Sequence, residues 1–434
     1  MTMKKKLIAT LVILIISNAT ILAQETFKTM FYNVLNFPLQ NAAKIDDLGT
    51  IVSTYNPDLF MVCELNNIEG ADAILNKLQT INSNYQSAQF FTNTSDDQGS
   101  NQNDLQNLIY FDSTKFILEA QDIVTTTIRD FNRYTLKLNT TDQDTNPIIL
   151  EVFVCHLKSS SGGENQAKRA AMIDLLETYL DNPTNGFDED SHVLLGGDLN
   201  VYTNSEAAFV KLTNESDGLK FVDPANAIGS WHNNTNYIDV FTQSTRTQTG
   251  QGGATGGFDD RFDFILTSEN MDNTSGQNSD LYFVEDSYQV FGNNGNINCY
   301  NREINSSDCE DINGLTPPNF NQGIRNILYN VSDHLPVTLE LQTSATLLSN
   351  KSFTIAKPIA FLNGNIVTNT LEIKINTSDI EELIVYNMLG QNVLNIPVKN
   401  QSEVKINISN LANGIFYVTN SNKKNVPLKF VKAN

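Results

Sequence analysis

The stretch VLLGGDLNVY, residues 193–202, constrains the fold more than any other part of the sequence. Its first three residues are consecutive and apolar, which predicts a strand covered on both faces. Two glycines follow, where the backbone carries no side chain and a ligand can approach it closely. Asp198 and Asn200 come next, and they face the same side if the strand geometry continues. An ionised acceptor beside a neutral amide suits a water nucleophile next to an anionic oxygen.

Five other apolar stretches also carry titratable or amide residues, within them or at one end. In chain order these residues are Asn33, Asn36, Glu64, His156, Lys158, Arg261, Asp263, Ser332, Asp333 and His334. Together with the GGDLN motif, their order and content resemble the endonuclease/exonuclease/phosphatase superfamily, the deoxyribonuclease I-like fold, over residues 26–342. The resemblance implies an α/β fold, a four-layer sandwich of two packed β-sheets flanked by helices. It also implies a phosphodiester hydrolase.

The resemblance further implies a metal site. Glu64 is the clearest ligand, a carboxylate at a strand end, with Asn33 and Asp333 as further oxygen donors. Hard oxygen ligands favour Mg²⁺, Mn²⁺ or Ca²⁺ over zinc. Cys63 stands where many relatives have glutamine, a change that affects the surroundings of the ligand rather than the ligand itself.

The catalytic groups follow from the same resemblance. His334 is expected to be the base that deprotonates or orients water, and Asp263 to hold its imidazole in the right tautomer. Asp198 and Asn200 would position the nucleophile and a phosphate oxygen. His156 is a second histidine, either a general acid or a phosphate donor, and the sequence shows no clear carboxylate partner for it.

The two ends of the chain predict export. Three lysines precede an apolar run at residues 7–16, and ILAQ supplies a cleavage site after Ala23, so residues 1–23 are expected to be a signal peptide. The run is shorter than the ~20 residues of a membrane span, so no stable span is expected. After a linker at 346–356, short strands separated by Gly and Asn turns predict a small β-sandwich at 357–434.

This C-terminal segment closely resembles the sorting domain of the type IX secretion system. The likeness lies in Asn387, Gly390, Leu411, Gly414, Tyr417 and the closing residues 429–431. It implies passage through the periplasm, contact with the type IX machinery, and a secreted or surface-attached product. A carbohydrate-binding β-sandwich is the alternative, but no aromatic cluster supports it.

Charge is distributed unevenly. Residues 24–345, the predicted catalytic domain, contain 16 Lys and Arg against 44 Asp and Glu, whereas the segment from residue 346 is mildly basic. Such acidity argues against a wide, sequence-blind grip on nucleic acid, because Lys and Arg supply most non-specific affinity. It does not exclude hydrolysis, since a bound cation can supply positive charge locally. The acidity also has a simple explanation in the solubility of a secreted protein.

Local patterns predict the remaining features. Helices are expected from Ile45 to before Pro57, near residues 71–79, and over residues 167–182. The glycine-rich segment at 250–260 is expected to be a flexible linker, with only weak resemblance to a phosphate cradle.

The four cysteines fall into two pairs. Cys299 and Cys309 lie in a polar loop and are expected to form a disulfide in an exported chain. Cys63 and Cys155 each precede a candidate site residue on a strand, so they are expected to face the core as small apolar side chains.

These observations predict a secreted, monomeric, divalent-metal-dependent phosphoester hydrolase, an extracellular nuclease cleaving DNA or RNA. A phosphatase or phosphodiesterase for lipid head groups, inositol phosphates or nucleotides is the alternative within the same fold. A surface binding protein with a vestigial site is the alternative from another class.

Overall fold

The computed structural model describes residues 24–94, 104–214, 218–273, 279–310, 321–348, 359–362, 365–375, 380–399, 401–420 and 427–433. The chain divides into two compact units, residues 1–348 and 349–434. The predicted signal peptide and most of the predicted linker lie outside the described residues.

The described part of the first unit contains thirteen strands in two sheets. They are β1 (Glu25–Phe37), β2 (Leu59–Leu65), β3 (Tyr85–Ser87), β4 (Gln106–Asp112), β5 (Phe116–Val124), β6 (Phe131–Leu138), β7 (Ile149–His156), β8 (His192–Asp198), β9 (Phe221–Val222), β10 (Asp263–Ser268), β11 (Leu281–Phe283), β12 (Gln289–Val290) and β13 (Val337–Thr343). The first sheet has the order β11-β13-β1-β2-β4-β3, with β12 paired to β13, and the second has the order β5-β6-β7-β8-β10-β9.

Helices cover the outer faces of both sheets. They are α1 (Ile45–Tyr55), α2 (Ile68–Ile81), α3 (Gly163–Leu180), α4 (Ala207–Asn214) and α5 (Gln322–Val331). Apolar side chains of α1, α2 and α5 share one core with the first sheet and the inner face of the second, while α3 and α4 pack on the outer face of the second sheet. The predicted four-layer α/β sandwich is confirmed. The helix predicted over residues 167–182 begins earlier, at Gly163, and ends at Leu180.

Strand direction explains why polar residues meet at one edge. The pairs β1–β2 and β7–β8 are parallel, so their carboxyl ends lie on the same side. Antiparallel β10 begins there, with Asp263 opposite Asp198, and β13 is antiparallel to β1. The ends of four strands and the segments that enter two others therefore converge.

The two glycines of the central strand have a packing role that differs from the expectation of ligand approach. A Cβ on Gly196 would lie 2.7 Å from the sulfur of Met61 in the facing sheet, and one on Gly197 would lie 2.4 Å from Cys155 Sγ. Both glycines therefore relieve crowding inside the sandwich. At the end of the same strand, Asp198 contacts the first sheet through a hydrogen bond from Asn33 at 3.1 Å.

The cysteines behave as predicted. Cys299 and Cys309 form a disulfide. Cys63 and Cys155 are free thiols, almost fully buried, and each belongs to the apolar core of its own sheet.

The second unit consists of strands that form two sheets around one core. The described strands are β14 (Ile359–Phe361), β15 (Ile366–Val367), β16 (Thr370–Ile375), β17 (Glu382–Asn387), β18 (Asn392–Pro397), β19 (Glu403–Asn407), β20 (Gly414–Asn420) and β21 (Leu428–Lys432). Sheets β14-β16-β19 and β15-β21-β20-β17-β18 both contribute to this core, through residues such as Leu371 and Phe430. The arrangement agrees with the predicted small β-sandwich.

Candidate active site

The predicted histidine base lies against a buried carboxylate. His334 Nδ1 is 2.7 Å from Asp263 Oδ2, and both side chains are nearly inaccessible to solvent. Ser332 fixes the approach to the histidine, because its hydroxyl accepts a hydrogen bond from the His334 amide at 3.1 Å and donates one to the carbonyl of Asn33 at 2.7 Å. The Ser332 side chain thereby joins the turn before β13 to β1.

The carboxylates of Glu64 and Asp198 face each other across the two sheets, with Asn33 between them. The Asn33 amide nitrogen donates to Glu64 Oε1 at 2.9 Å and to Asp198 Oδ2 at 3.1 Å. Asn36 holds the other Glu64 oxygen through its backbone and side-chain nitrogens, both at 3.2 Å. Asp198 also lies 3.7 Å from His334 Nε2. These contacts bring five of the residues singled out from the sequence into one cluster.

His156 completes the cluster from β7. Its Nε2 lies 3.6 Å from Asp198 Oδ2 and 4.0 Å from Glu64 Oε1. Arg129 holds the end of this strand by donating hydrogen bonds to the carbonyls of His156 and Leu157 at 2.9 and 2.8 Å. The nearest carboxylates of His156 therefore belong to residues already assigned to the site, a relationship that the sequence did not reveal.

Asp333 is engaged on the other side of His334. Its Oδ2 accepts hydrogen bonds from the Ala254 amide at 2.6 Å and from the Gln243 side chain at 3.1 Å. Gly253 packs so closely that a Cβ there would lie 2.4 Å from the Asp333 carboxyl carbon. The glycine-rich segment expected to be a flexible linker is therefore packed against a candidate site residue, and Arg246 holds it further by donating to two of its carbonyls.

Asn200 does not continue the strand. The strand β8 ends at Asp198, and Asn200 adopts a left-handed backbone with φ of 52°. Its backbone N–H donates to Asp198 Oδ1 at 3.1 Å, and its side-chain Nδ2 donates to the Leu157 carbonyl at 3.3 Å. Glu64 also has positive φ, at 57°, which costs free energy in a residue other than Gly or Asn. Surrounding contacts thus hold both residues in place.

Two further residues shape the site without having been found from the sequence. Gln243 places its side-chain nitrogen 2.5 Å from His334 Nε2. Lys44 is buried and donates to the carbonyls of Val34, Leu35 and Val331 at 2.7 to 2.9 Å, which ties the end of β1 to the end of α5. Gln243 lies in a polar segment and Lys44 precedes an ordinary amphipathic helix, so neither carries a sequence signal of its role.

Burial and crowded charge shift the acid–base properties of the cluster. Burial raises the pKa of Asp198 to about 8, with Asp263 and Glu64 adding to the effect. Burial and the Asp333 carboxylate raise the pKa of Glu64. Burial alone would lower the pKa of His334, but the adjacent carboxylates outweigh it and raise that pKa well above its usual value. These three groups therefore retain their protons to higher pH than isolated groups of the same kind.

A divalent cation fits this donor set. Glu64, His156 and Asp198 each offer one ligand atom within 4.8 Å of the others, as do Asp198, Asp263 and His334. Oxygen donors predominate, which suits Mg²⁺, Mn²⁺ or Ca²⁺. The buried Oδ1 atoms of Asp263 and Asp333 have no hydrogen-bond partner within the described part of the chain. The ligand roles predicted for Asn33 and Asp333 stay predictions, since Asn33 here turns its amide nitrogen towards the carboxylates.

Solved structures with similar architecture come from several sources. The human Nocturnin catalytic domain with bound sulfate is 14% identical, with a TM-score of 0.44, covering 74% of this chain and 96% of its own. An endonuclease/exonuclease/phosphatase family protein from Bacteroides thetaiotaomicron is 13% identical, with a TM-score of 0.43 and coverage of 74% and 96%. TDP2 from C. elegans is 16% identical, with a TM-score of 0.42 and coverage of 73% and 75%. At these TM-scores the likeness says nothing about the substrate.

Sequence comparison identifies the C-terminal unit. Residues 365–433 match the family model of the secretion system C-terminal sorting domain, which indicates export to the cell surface or secretion. No curated protein matches the chain. Among the described residues, no helix is long and apolar enough to cross a membrane. The chain thus carries a secretion system C-terminal sorting domain, and the solved structures similar to it include endonuclease/exonuclease/phosphatase family proteins.

Proposed function

We propose that this protein is a divalent-metal-dependent phosphoester hydrolase that acts outside the cell, as a nuclease on DNA or RNA. The observation that carries the proposal is the buried His334–Asp263 pair, 2.7 Å apart, beside the carboxylates of Asp198 and Glu64. A base oriented by a carboxylate, next to a cluster that can hold a cation, is what phosphodiester hydrolysis requires.

His334 is the base in this proposal. In the neutral imidazole Asp263 accepts the Nδ1 hydrogen, so the Nε2 lone pair can take a proton from water. The neighbouring carboxylates raise the pKa of His334, and a cation bound by those carboxylates would favour this neutral form. Asp198, 3.7 Å from Nε2, helps to place that water, and Asn200 fixes the Asp198 carboxylate through its backbone amide. These residues orient the nucleophile before the reaction begins.

Glu64 and Asp198 would hold the cation, with Asn33 and Asp333 as further candidate ligands. The bound cation would supply positive charge to the phosphoryl oxygens and to the leaving oxygen. Asn36 and Asn33 fix the Glu64 carboxylate from two sides, so the ligand is oriented in advance.

His156 fits the role of phosphate donor better than that of general acid. Burial and the Arg129 guanidinium lower the pKa of His156 well below its usual value, so it stays neutral near pH 7. A neutral imidazole still offers one N–H to an anionic oxygen, whereas it has no readily lost proton for a leaving group.

The alternative of a small phosphoester substrate draws support from the positive charges around the site. In the described part of this unit the buried arginines donate to backbone carbonyls or to side-chain oxygens of the fold: Arg129, Arg169, Arg246, Arg261 and Arg325. With 16 basic against 44 acidic residues in the predicted catalytic domain, a long polyanion gains little attraction here. A phosphatase or a phosphodiesterase for nucleotides, lipid head groups or inositol phosphates is therefore the second candidate.

A substrate comparison tests these candidates. The purified protein is incubated with plasmid DNA, RNA, bis-p-nitrophenyl phosphate and p-nitrophenyl phosphate, in Mg²⁺, Mn²⁺, Ca²⁺ or EDTA. Metal-dependent nicking of the plasmid or cleavage of RNA supports the nuclease. Turnover of the small esters alone favours the second candidate, and no turnover with any metal leaves a binding protein with a vestigial site.

A further inference from the structure

The segment at residues 242–245 runs between the two parts of the chain that carry the histidine base and its carboxylate partner. Backbone hydrogen bonds of 2.7 to 3.0 Å attach it on one side to Asp260 and on the other to Asp333 and Leu335. The backbone of its second residue, Gln243, is therefore held between these two parts of the chain. The reach of the Gln243 side chain into the site is set by this backbone rather than by a mobile loop.

The Gln243 amide caps the catalytic nitrogen of His334. Its nitrogen lies 2.5 Å from His334 Nε2 and 3.1 Å from Asp333 Oδ2. An ionised carboxylate can only accept hydrogen bonds, so the amide must present its NH₂ group to Asp333. The second amide hydrogen then points at Nε2, which is an acceptor in the neutral imidazole whose single hydrogen lies on Nδ1 against Asp263.

The surroundings of Nε2 are rich in acceptors and poor in donors. Both hydrogens of the Asn33 amide go to the carboxylates of Glu64 and Asp198. The Asn200 side chain donates to a backbone carbonyl. Among these three amides, Gln243 alone directs a hydrogen at the atom beside which an attacked phosphoryl group must lie.

Building on the proposed function, we infer that Gln243 binds a phosphoryl oxygen of the substrate. The anionic oxygen takes the amide hydrogen that His334 Nε2 accepts in this structure, because a hydrogen bond to a charged acceptor is stronger than one to a neutral ring nitrogen. The exchange frees the Nε2 lone pair for the attacking water. The other amide hydrogen stays on Asp333, which keeps the side chain in place.

The test uses Gln243→Met, which keeps the length of the side chain but removes both amide hydrogens, and Gln243→Glu, which replaces the donor by a charged acceptor. Affinity for inorganic phosphate is measured by titration calorimetry with Mg²⁺ present, and kcat and KM with bis-p-nitrophenyl phosphate. We expect phosphate binding and kcat/KM to fall about tenfold or more in Gln243→Met, and further in Gln243→Glu. A residue that only filled space would tolerate the isosteric glutamate better than methionine.

Gln40→Met is the matched control. Gln40 also donates a side-chain hydrogen bond near the site, to the carbonyl of Gln251 in the glycine-rich segment at 3.2 Å, but it does not contact His334. Phosphate affinity and kcat/KM within about twofold of wild type are expected for this variant. Thermal unfolding of all variants shows whether each one is folded.

Two results overturn the inference: a wild-type protein that binds no phosphate, or a folded Gln243→Met variant that binds phosphate and hydrolyses the diester as well as wild type or better. The second result would mean that Gln243 merely blocks the base. If Gln243→Met weakens phosphate binding but the wild-type protein hydrolyses no phosphoester, the inference holds and the proposed function fails. If the wild-type protein hydrolyses phosphoesters and Gln243→Met keeps normal turnover and phosphate affinity, the inference about Gln243 fails and the proposed function holds.

Discussion

The contact between Asp263 and His334 gives the sharpest prediction about catalysis. Asp263 is fully buried, and its Oδ2 lies 2.7 Å from His334 Nδ1, so solvent does not screen the interaction. Asp263→Asn keeps the shape of the side chain and leaves an amide oxygen that can still accept the Nδ1 hydrogen. The variant therefore removes the charge and little else.

The magnitude follows from the type of hydrogen bond. A hydrogen bond to a charged group contributes about 1.5–3 kcal/mol. Loss of that amount from the transition state, in which the imidazole becomes positive, corresponds to a fall of roughly 10- to 150-fold in kcat/KM. We expect a fall in this range with bis-p-nitrophenyl phosphate.

The direction of the pH effect is a second readout. Asp263 is the largest of the neighbouring charges that raise the pKa of His334, so its replacement lowers that pKa. A base works in its deprotonated form, so activity rises with pH through its pKa. The acid limb of the pH–rate profile should therefore move to lower pH in Asp263→Asn.

The chain contains a matched control in a second histidine–aspartate pair. His232 Nδ1 lies 2.7 Å from Asp260 Oδ1, but this histidine side chain is 46% exposed. Asp260→Asn should change kcat/KM by no more than about twofold. If Asp263→Asn is folded, keeps its kcat/KM within twofold of wild type and shows an unmoved acid limb, the assignment of His334 as a base oriented by Asp263 is refuted.

Three further predictions concern metal, pH and packing. Excess Mn²⁺ should raise the melting temperature of the wild-type protein, by an amount equivalent to about 2.7 kcal/mol at 100 times the Kd, and Glu64→Gln should abolish most of this rise in a thermal scan. His156 has a pKa lowered by burial, so its own contribution to the free energy of unfolding should fall below about pH 6.5 by up to about 1.4 kcal/mol per pH unit. Urea titrations should show this fall as the difference between the wild-type protein and His156→Gln. Gly253→Ala, with φ of 74° and a Cβ 2.4 Å from the Asp333 carboxyl carbon, should lose about 1–3 kcal/mol more in urea unfolding than Gly186→Ala, where φ is 76° and the space is open.

The four-layer architecture was predicted through the family resemblance carried by the order of the motifs, and the pattern of the strands agrees with it. Continuous apolar runs such as residues 193–195 must be covered on both faces, and here they lie between another sheet and helices. Polar residues at the ends of these runs then meet at one edge, since parallel strands place their carboxyl ends together. Glu64 and Asp198 lie at such strand ends, whereas their grouping with His334, which precedes an antiparallel strand, was expected from the resemblance alone.

The contacts that depend on long-range packing could not be read from the chain. The sequence suggested that Gly196 leaves room for a ligand, but the space beside it is filled by Met61 of the facing sheet, which would crowd any larger side chain. The positions of Gln243 and Gly253 depend on how a polar segment packs on Asp333, and no periodic pattern records that. Strand alternation predicted that Asn200 continues β8, but this residue has a left-handed backbone and lies beyond the end of the strand.

Metal-dependent catalysis with His334 as the base is tested most directly by the initial rate of bis-p-nitrophenyl phosphate hydrolysis by the wild-type protein and by His334→Ala, each with Mn²⁺ and with EDTA. We predict metal-dependent turnover by the wild-type protein, lost in EDTA, and a fall of about 10²- to 10⁴-fold in the folded variant, the usual contribution of a general base. Equal rates in the wild-type protein and in His334→Ala, or turnover that persists in EDTA, would contradict this prediction.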